Sequence, residues 1–179
     1  MGCFQLYPKM IILYLKFELM LICFFRFQRE VNFLRRMNHP NIVAIIGITE
    51  LPDRVGIVME YINGGNLGDV IEKNGPEMTW IARLKIAIQI TSGLSYMHGY
   101  EKDQSICHGD LKPNNILLTT RFDVKLVDFG SAALYLAAGV TSDTIKDYVK
   151  SRQHTLIYTD PAFLENPGRD KTPAMDMYR

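Results

Sequence analysis

Four residues between positions 110 and 128 have the chemistry to move a phosphoryl group. Asp110 is a carboxylate that can accept a hydroxyl proton, and Lys112, two residues on, can neutralise charge on a transferring phosphate. Asn115 and Asp128 supply hard oxygen donors of the kind Mg²⁺ takes. Phosphoryl transfer asks little covalent chemistry of a protein. It needs an in-line hydroxyl, a cation on the moving group and metal ions bridging the phosphates. Taken singly, each of these residues reads as ordinary loop polarity.

The elements that must position them can be read around the four. Ile116–Leu118 and Val124–Val127 are short apolar runs flanking a Thr119–Asp123 turn, which predicts a small hairpin bringing Asn115 and Asp128 to one end. Upstream, residues 79–98 carry Ile86, Ile90, Leu94 and Met97 at helical spacing, with Thr79 as a cap. A shorter helix is expected at 66–73 and an amphipathic one at 28–38, which His39-Pro40-Asn41 ends. The β-branched run 42–49 and the segment 55–61 read as strands. From Gly130 to about residue 160 the pattern is irregular.

In combination, His108-Gly109-Asp110-Leu111-Lys112-Pro113-Asn114-Asn115 followed by Asp128-Phe129-Gly130 resembles the catalytic loop and metal-binding motif of the eukaryotic-type protein kinases. The resemblance runs from about residue 27 to 179. It implies an α+β, two-lobed protein kinase-like fold, with residues 27–60 in the N-lobe and 61–179 forming the hinge and a partial C-lobe. The N-lobe is expected to be incomplete, without a Gly-rich loop, and the C-lobe to stop at the start of the family's αF helix. By resemblance Asp110 is the catalytic base, with Lys112 and Asn115 beside it, and Asn115 and Asp128 are the metal ligands. Glu30 matches the glutamate of the small-lobe helix. Met59 matches the gatekeeper, Glu60 to Ile62 the strip whose backbone meets adenine, and Leu117 lies at a nucleotide-binding position. Leu34, Ile45, His108 and Phe129, anchored by Asp176, match a stack of side chains that joins the lobes, so His108 is expected to be a packing residue. The implied ligands are ATP and Mg²⁺, and the implied partner is a protein substrate with Ser or Thr hydroxyls. Lys112 and Thr155 resemble the serine/threonine enzymes, and the hinge resembles the tyrosine-kinase-like group.

The departures matter as much. Gly2 is the only glycine before Gly47, so the Gly-rich loop of the family has no counterpart. Lys16 is the candidate for the family's strand lysine, in ILYLKFE, fourteen residues before Glu30. Gly109 replaces the arginine that usually precedes the catalytic aspartate, and Ala162 stands where a glutamate is usual. These departures keep two other readings open: a pseudokinase-like binding module, and an inactive fragment of a kinase gene product.

Composition excludes other classes. The 179 residues carry a formal net charge of +1, which provides no field for nucleic acid. Three cysteines are too few and too scattered for a disulfide framework and fit a reducing, cytoplasmic setting. Residues 1–26 form an atypical apolar segment. Met10–Phe25 is shorter than a spanning helix and contains Lys16 and Glu18, so a membrane-associated N-terminus is the lesser alternative. Lys9 precedes the run as in a signal peptide, but Phe24 to Phe27 offer no small-residue cleavage site.

Overall fold

A computed structural model describes residues 4–7, 10–16, 20–52, 54–136, 156–166 and 171–178. Strands β1 (Phe4–Tyr7), β2 (Met10–Lys16), β3 (Ile45–Leu51) and β4 (Arg54–Glu60) form one antiparallel sheet in the order β1-β2-β4-β3. Helix α1 (Met20–Leu34) lies between β2 and β3 in sequence. The helical remainder follows: α2 (Leu67–Asn74), α3 (Trp80–His98), α4 (Pro161–Glu165) and α5 (Pro173–Tyr178). Two small antiparallel pairs complete the described structure, β5 (Gln104–Cys107) with β8 (Ala133–Leu136), and β6 (Ile116–Leu118) with β7 (Val124–Leu126). A sheet with one helix, followed by helices with two small strand pairs, makes an α+β, two-part architecture.

The local rules hold where the sequence is explicit. Thr79 caps α3 by accepting the Ala82 N–H at 3.2 Å, and Asn66 caps α2 by accepting the Asp69 N–H at 2.9 Å. Ile86, Leu94 and Met97 are buried on the inner face of α3, and Ile90 packs beside them. The outer face of the same helix presents Trp80, Ile81 and Ile88 to solvent.

The apolar N-terminal run divides differently from expectation. It gives a strand ending at Lys16 and a helix that starts at Met20, eight residues before the amphipathic segment expected at 28–38. The helix also ends sooner, at Leu34, in a turn through Arg35 and Arg36. Met, Leu and Phe are compatible with a helix, and an unbroken apolar run carries no periodicity to locate its start. The boundary expected at residue 27 therefore falls inside one continuous helix. Strands β5 and β8 were not legible either. They are four residues each and pair over a long sequence separation, with Gln104 opposite Leu136 and Cys107 opposite Ala133.

The core runs continuously from α1 to α3. Val31, Leu34, Ile42, Leu94, Met97, Ile106, Leu126 and Phe129 belong to one buried cluster. Asn41 stitches its two sides together. Its buried amide donates to Gln89 Oε1 on α3 and to the Val124 carbonyl, and its own carbonyl accepts from Leu126 N–H. The neighbouring His39 stacks on Tyr96 of α3, with ring centroids 5.0 Å apart. The short turn after α1 is thus the hinge pin between sheet and helices. Arg35 and Arg36 are exposed, as a solvated helix end should be. Among the described residues, no helix is long and apolar enough to cross a membrane.

Candidate active site

The segment 107–118 is held from beneath by one buried carboxylate. Asp176, on α5, is 1% exposed. Its Oδ2 accepts the His108 N–H at 2.7 Å and its Oδ1 accepts the Gly109 N–H at 2.9 Å, while His98 Nε2 lies 3.0 Å from Oδ2. Burial works to raise this carboxyl. The hydrogen bond from His98, the His108 imidazole and the two backbone N–H groups outweigh it and leave the group below its ordinary value. The loop backbone is therefore fixed by a residue 67 and 68 positions downstream of the two N–H groups it holds.

On that support the side chains converge. His108 is fully buried, its ring 5.0 Å from that of Phe129. Its Nε2 bonds the Val127 carbonyl at 3.0 Å and its Nδ1 accepts the Asp110 N–H at 3.3 Å. Both ring nitrogens serve the backbone, so His108 is a packing and orienting residue. Asp110 is 3% exposed. Lys112 Nζ donates to its Oδ2 at 2.7 Å, and Asn115 Nδ2 donates to its carbonyl at 2.8 Å and to Oδ2 at 3.2 Å. With the amide nitrogen so committed, the Asn115 side-chain oxygen is turned away from Asp110.

The hairpin brings the second motif to the same end. Ile116 is opposite Leu126, and Val127 N–H donates to the Asn115 carbonyl at 3.1 Å. Asp128 follows in the left-handed region, with φ 63°, and its Oδ1 accepts the Gly130 N–H at 3.3 Å. This backbone conformation is uncommon for a residue with a side chain, and Asp is among the types that tolerate it best.

Glu30 completes the site from α1. It is 8% exposed and accepts the Phe129 N–H. Burial, reinforced by the nearby Asp128 carboxylate, pushes its pKa up to about 7, against the lowering influence of Arg26. Met59 and Ile62 lie where sheet meets helices: Met59 is paired with Ile11 of β2 and Ile45 of β3, and Ile62 is buried. Leu117 is half-buried in β6 and bridges to Asn66. Glu60 differs in role from a simple hinge residue. Its Oε1 accepts Lys125 Nζ at 2.6 Å and the Ala44 N–H at 2.9 Å, tying β4 to β7. Gly64 is required beside this strip, because a Cβ there would sit 2.5 Å from the Leu118 carbonyl oxygen.

Lys16 is the candidate that the backbone does not bring to the others. It ends β2 opposite Arg54, five residues along the strand from Ile11, the partner of Met59. Its side chain lies outside the described residues, as does Thr155. Two further residues, not singled out from sequence, do reach the site. Arg26 Nη2 is 3.8 Å from Asp128 Oδ1. Lys171 Nζ donates to the Ser131 carbonyl at 2.7 Å and lies 2.7 Å from where a Gly109 Cβ would be. The position vacated by the usual arginine side chain is thus occupied by a lysine from elsewhere. Arg26 could have been noticed as the i−4 neighbour of Glu30; Lys171 carried no signal.

Residues 21–179 match the model of the protein kinase domain. The chain belongs to the protein kinase family. Similar proteins include the U-box domain-containing protein 33 of Arabidopsis thaliana, 37% identical over 154 residues, which cover 85% of this chain and 17% of that protein. A probable receptor-like protein kinase of the same plant is 35% identical over 158 residues, 85% of this chain and 45% of the relative. CBL-interacting serine/threonine-protein kinase 16, also from Arabidopsis thaliana, is 32% identical over 145 residues, 80% and 30% of the two chains. The kinase domain described here spans less than half the length of each of these relatives. The family expectation and the α+β fold class drawn from the catalytic-loop and Asp128-Phe129-Gly130 motifs are both borne out.

Proposed function

We propose that this kinase chain binds Mg-ATP and transfers the γ-phosphate to Ser or Thr hydroxyls of a protein. The observation that carries the reading is the hydrogen-bonded cluster of Asp110, Lys112 and Asn115, set at the same hairpin end as Asp128. Asp110 takes the substrate hydroxyl proton. Lys112, which is held on Asp110, neutralises charge on the transferring group. The donor chemistry fits Mg²⁺: a fixed amide oxygen at Asn115 and a carboxylate at Asp128 whose side chain is 37% exposed. Magnesium there would neutralise the phosphate oxygens. Met59, Glu60 and Ile62 would border the adenine, with Leu117 on its large-lobe side. The name of one relative, CBL-interacting serine/threonine-protein kinase 16, supports Ser or Thr as the acceptor class.

The test is transfer of labelled phosphate from Mg-ATP to a Ser/Thr-containing protein such as myelin basic protein. Asp110→Asn should abolish it, and equal incorporation by that variant would refute the assignment. A second reading, a nucleotide-binding module without transfer, is favoured by the β2 register that separates Lys16 from the Met59 end of the sheet. Nucleotide binding with no Asp110-dependent turnover would select it.

A further inference from the structure

The side of the site formed by α1 contains a cation that the motifs do not account for. Arg26 and Glu30 are spaced i and i+4, so they share one face of α1. That face packs on the turn Phe129–Ser131. Glu30 accepts the Phe129 N–H, and the Arg26 guanidinium lies alongside, with Nε and Nη2 3.1 and 3.3 Å from where a Gly130 Cβ would be. Gly130 therefore leaves the room that the guanidinium uses. Arg26 Nη2 is 3.8 Å from Asp128 Oδ1, longer than a hydrogen bond, and the two side chains are 34% and 37% exposed. The charge thus stands half-buried beside Asp128, on the α1 side of the site.

The reading above places nucleotide phosphates over Asp110, Lys112 and Asp128, and a polyphosphate needs positive charge on its small-lobe side too. The strand register sets Lys16 opposite Arg54, away from the Met59 end. A guanidinium offers planar, bidentate donors suited to phosphate. Resting on that reading, we infer that Arg26 is the small-lobe phosphate-binding residue of this chain, contacting the nucleotide phosphates from α1 while Glu30 and Asp128 orient it.

The test is calorimetric binding of adenosine and of a non-hydrolysable ATP analogue with Mg²⁺ to the full chain and to Arg26→Ala, Arg26→Gln and Arg26→Lys. Loss of one charge-assisted contact should weaken the triphosphate by about tenfold in Arg26→Ala and Arg26→Gln, with adenosine unchanged and partial recovery in Arg26→Lys. Equal weakening of both ligands would mean that Arg26 only props the fold, and would overturn the inference. So would an unchanged triphosphate affinity, or a loss carried by Lys16→Ala with Arg26→Ala silent. If the unaltered chain binds neither ligand, the nucleotide-site reading falls with it; if it binds both and Arg26→Ala changes nothing, the Arg26 assignment alone is lost.

Discussion

The two sides of the site are built in opposite ways. On the large-lobe side, one buried carboxylate, Asp176, holds two backbone N–H groups and a histidine, and Asp110, Lys112 and Asn115 sit on that support in a closed network. On the α1 side, a buried glutamate and a half-buried arginine meet Asp128 at a distance, with burial and like charge working against ionisation of Glu30. The first side is fixed by satisfied hydrogen bonds, the second by a balance of charges that a bound anion and a metal would alter. In this chain, rigidity belongs to the groups proposed for proton transfer, and adjustability to those proposed to meet the nucleotide from α1.

The sharpest way to break this contrast is Asp176→Ala. It leaves the His108 and Gly109 N–H groups and His98 without their common acceptor in a buried place, and should destabilise the fold by roughly 3–5 kcal/mol in urea denaturation. A change under about 1 kcal/mol would mean the support is not what fixes the loop. Next in size is Glu30→Gln. The folded pKa of Glu30 is raised from 4.5 to about 7, so the folded state holds its proton more tightly than the unfolded state. The resulting penalty is absent below pH 4.5, grows as pH rises and is complete above about pH 7. Glu30→Gln should therefore stabilise the metal-free protein by roughly 2–3 kcal/mol at pH 8 and by little at pH 4.5. A pH-independent difference would contradict the balance of charges on the α1 side.

Gly109→Ala probes the rigid side from within. Gly109 has φ 74°, and a Cβ there would lie 2.5 Å from the Ser131 carbonyl oxygen and 2.7 Å from Lys171 Nζ. A loss of about 1–3 kcal/mol is expected, and an alanine accepted without loss would show that the loop can shift after all. The smallest effect is set outside both regions. Thr79→Ala should remove the α3 cap and about 1 kcal/mol, with no change in nucleotide affinity; a change in affinity would couple the far end of α3 to the site.

The same contrast governs what the sequence made legible. Asp110, Lys112, Asn115 and Asp128 stand close in the chain, and a hairpin whose apolar runs and turn are local signals brings Asn115 and Asp128 to one end. The cap at Thr79 and the buried stripe Ile86, Leu94 and Met97 were equally readable, because helical periodicity is a short-range pattern. Residues joined by long-range packing were harder. Asp176 emerged only through family resemblance, and Lys171 not at all, since nothing in its neighbours tells that Gly109 vacates the space it fills. The start of α1 was hidden because an apolar run from Met10 to Phe25 is as compatible with strand as with helix. The same lack of periodicity conceals Arg26, which lies one helical turn from Glu30 on α1.

The central claim, a nucleotide site built on Asn115 and Asp128, is tested most directly by a thermal melt of the chain with and without Mg-ATP. A ligand that binds only the folded state at a hundredfold excess over Kd adds about 2.7 kcal/mol of stability. One cooperative transition should move up with Mg-ATP and should not move in Asp128→Asn. A transition unmoved by Mg-ATP, or moved equally in Asp128→Asn, would contradict it.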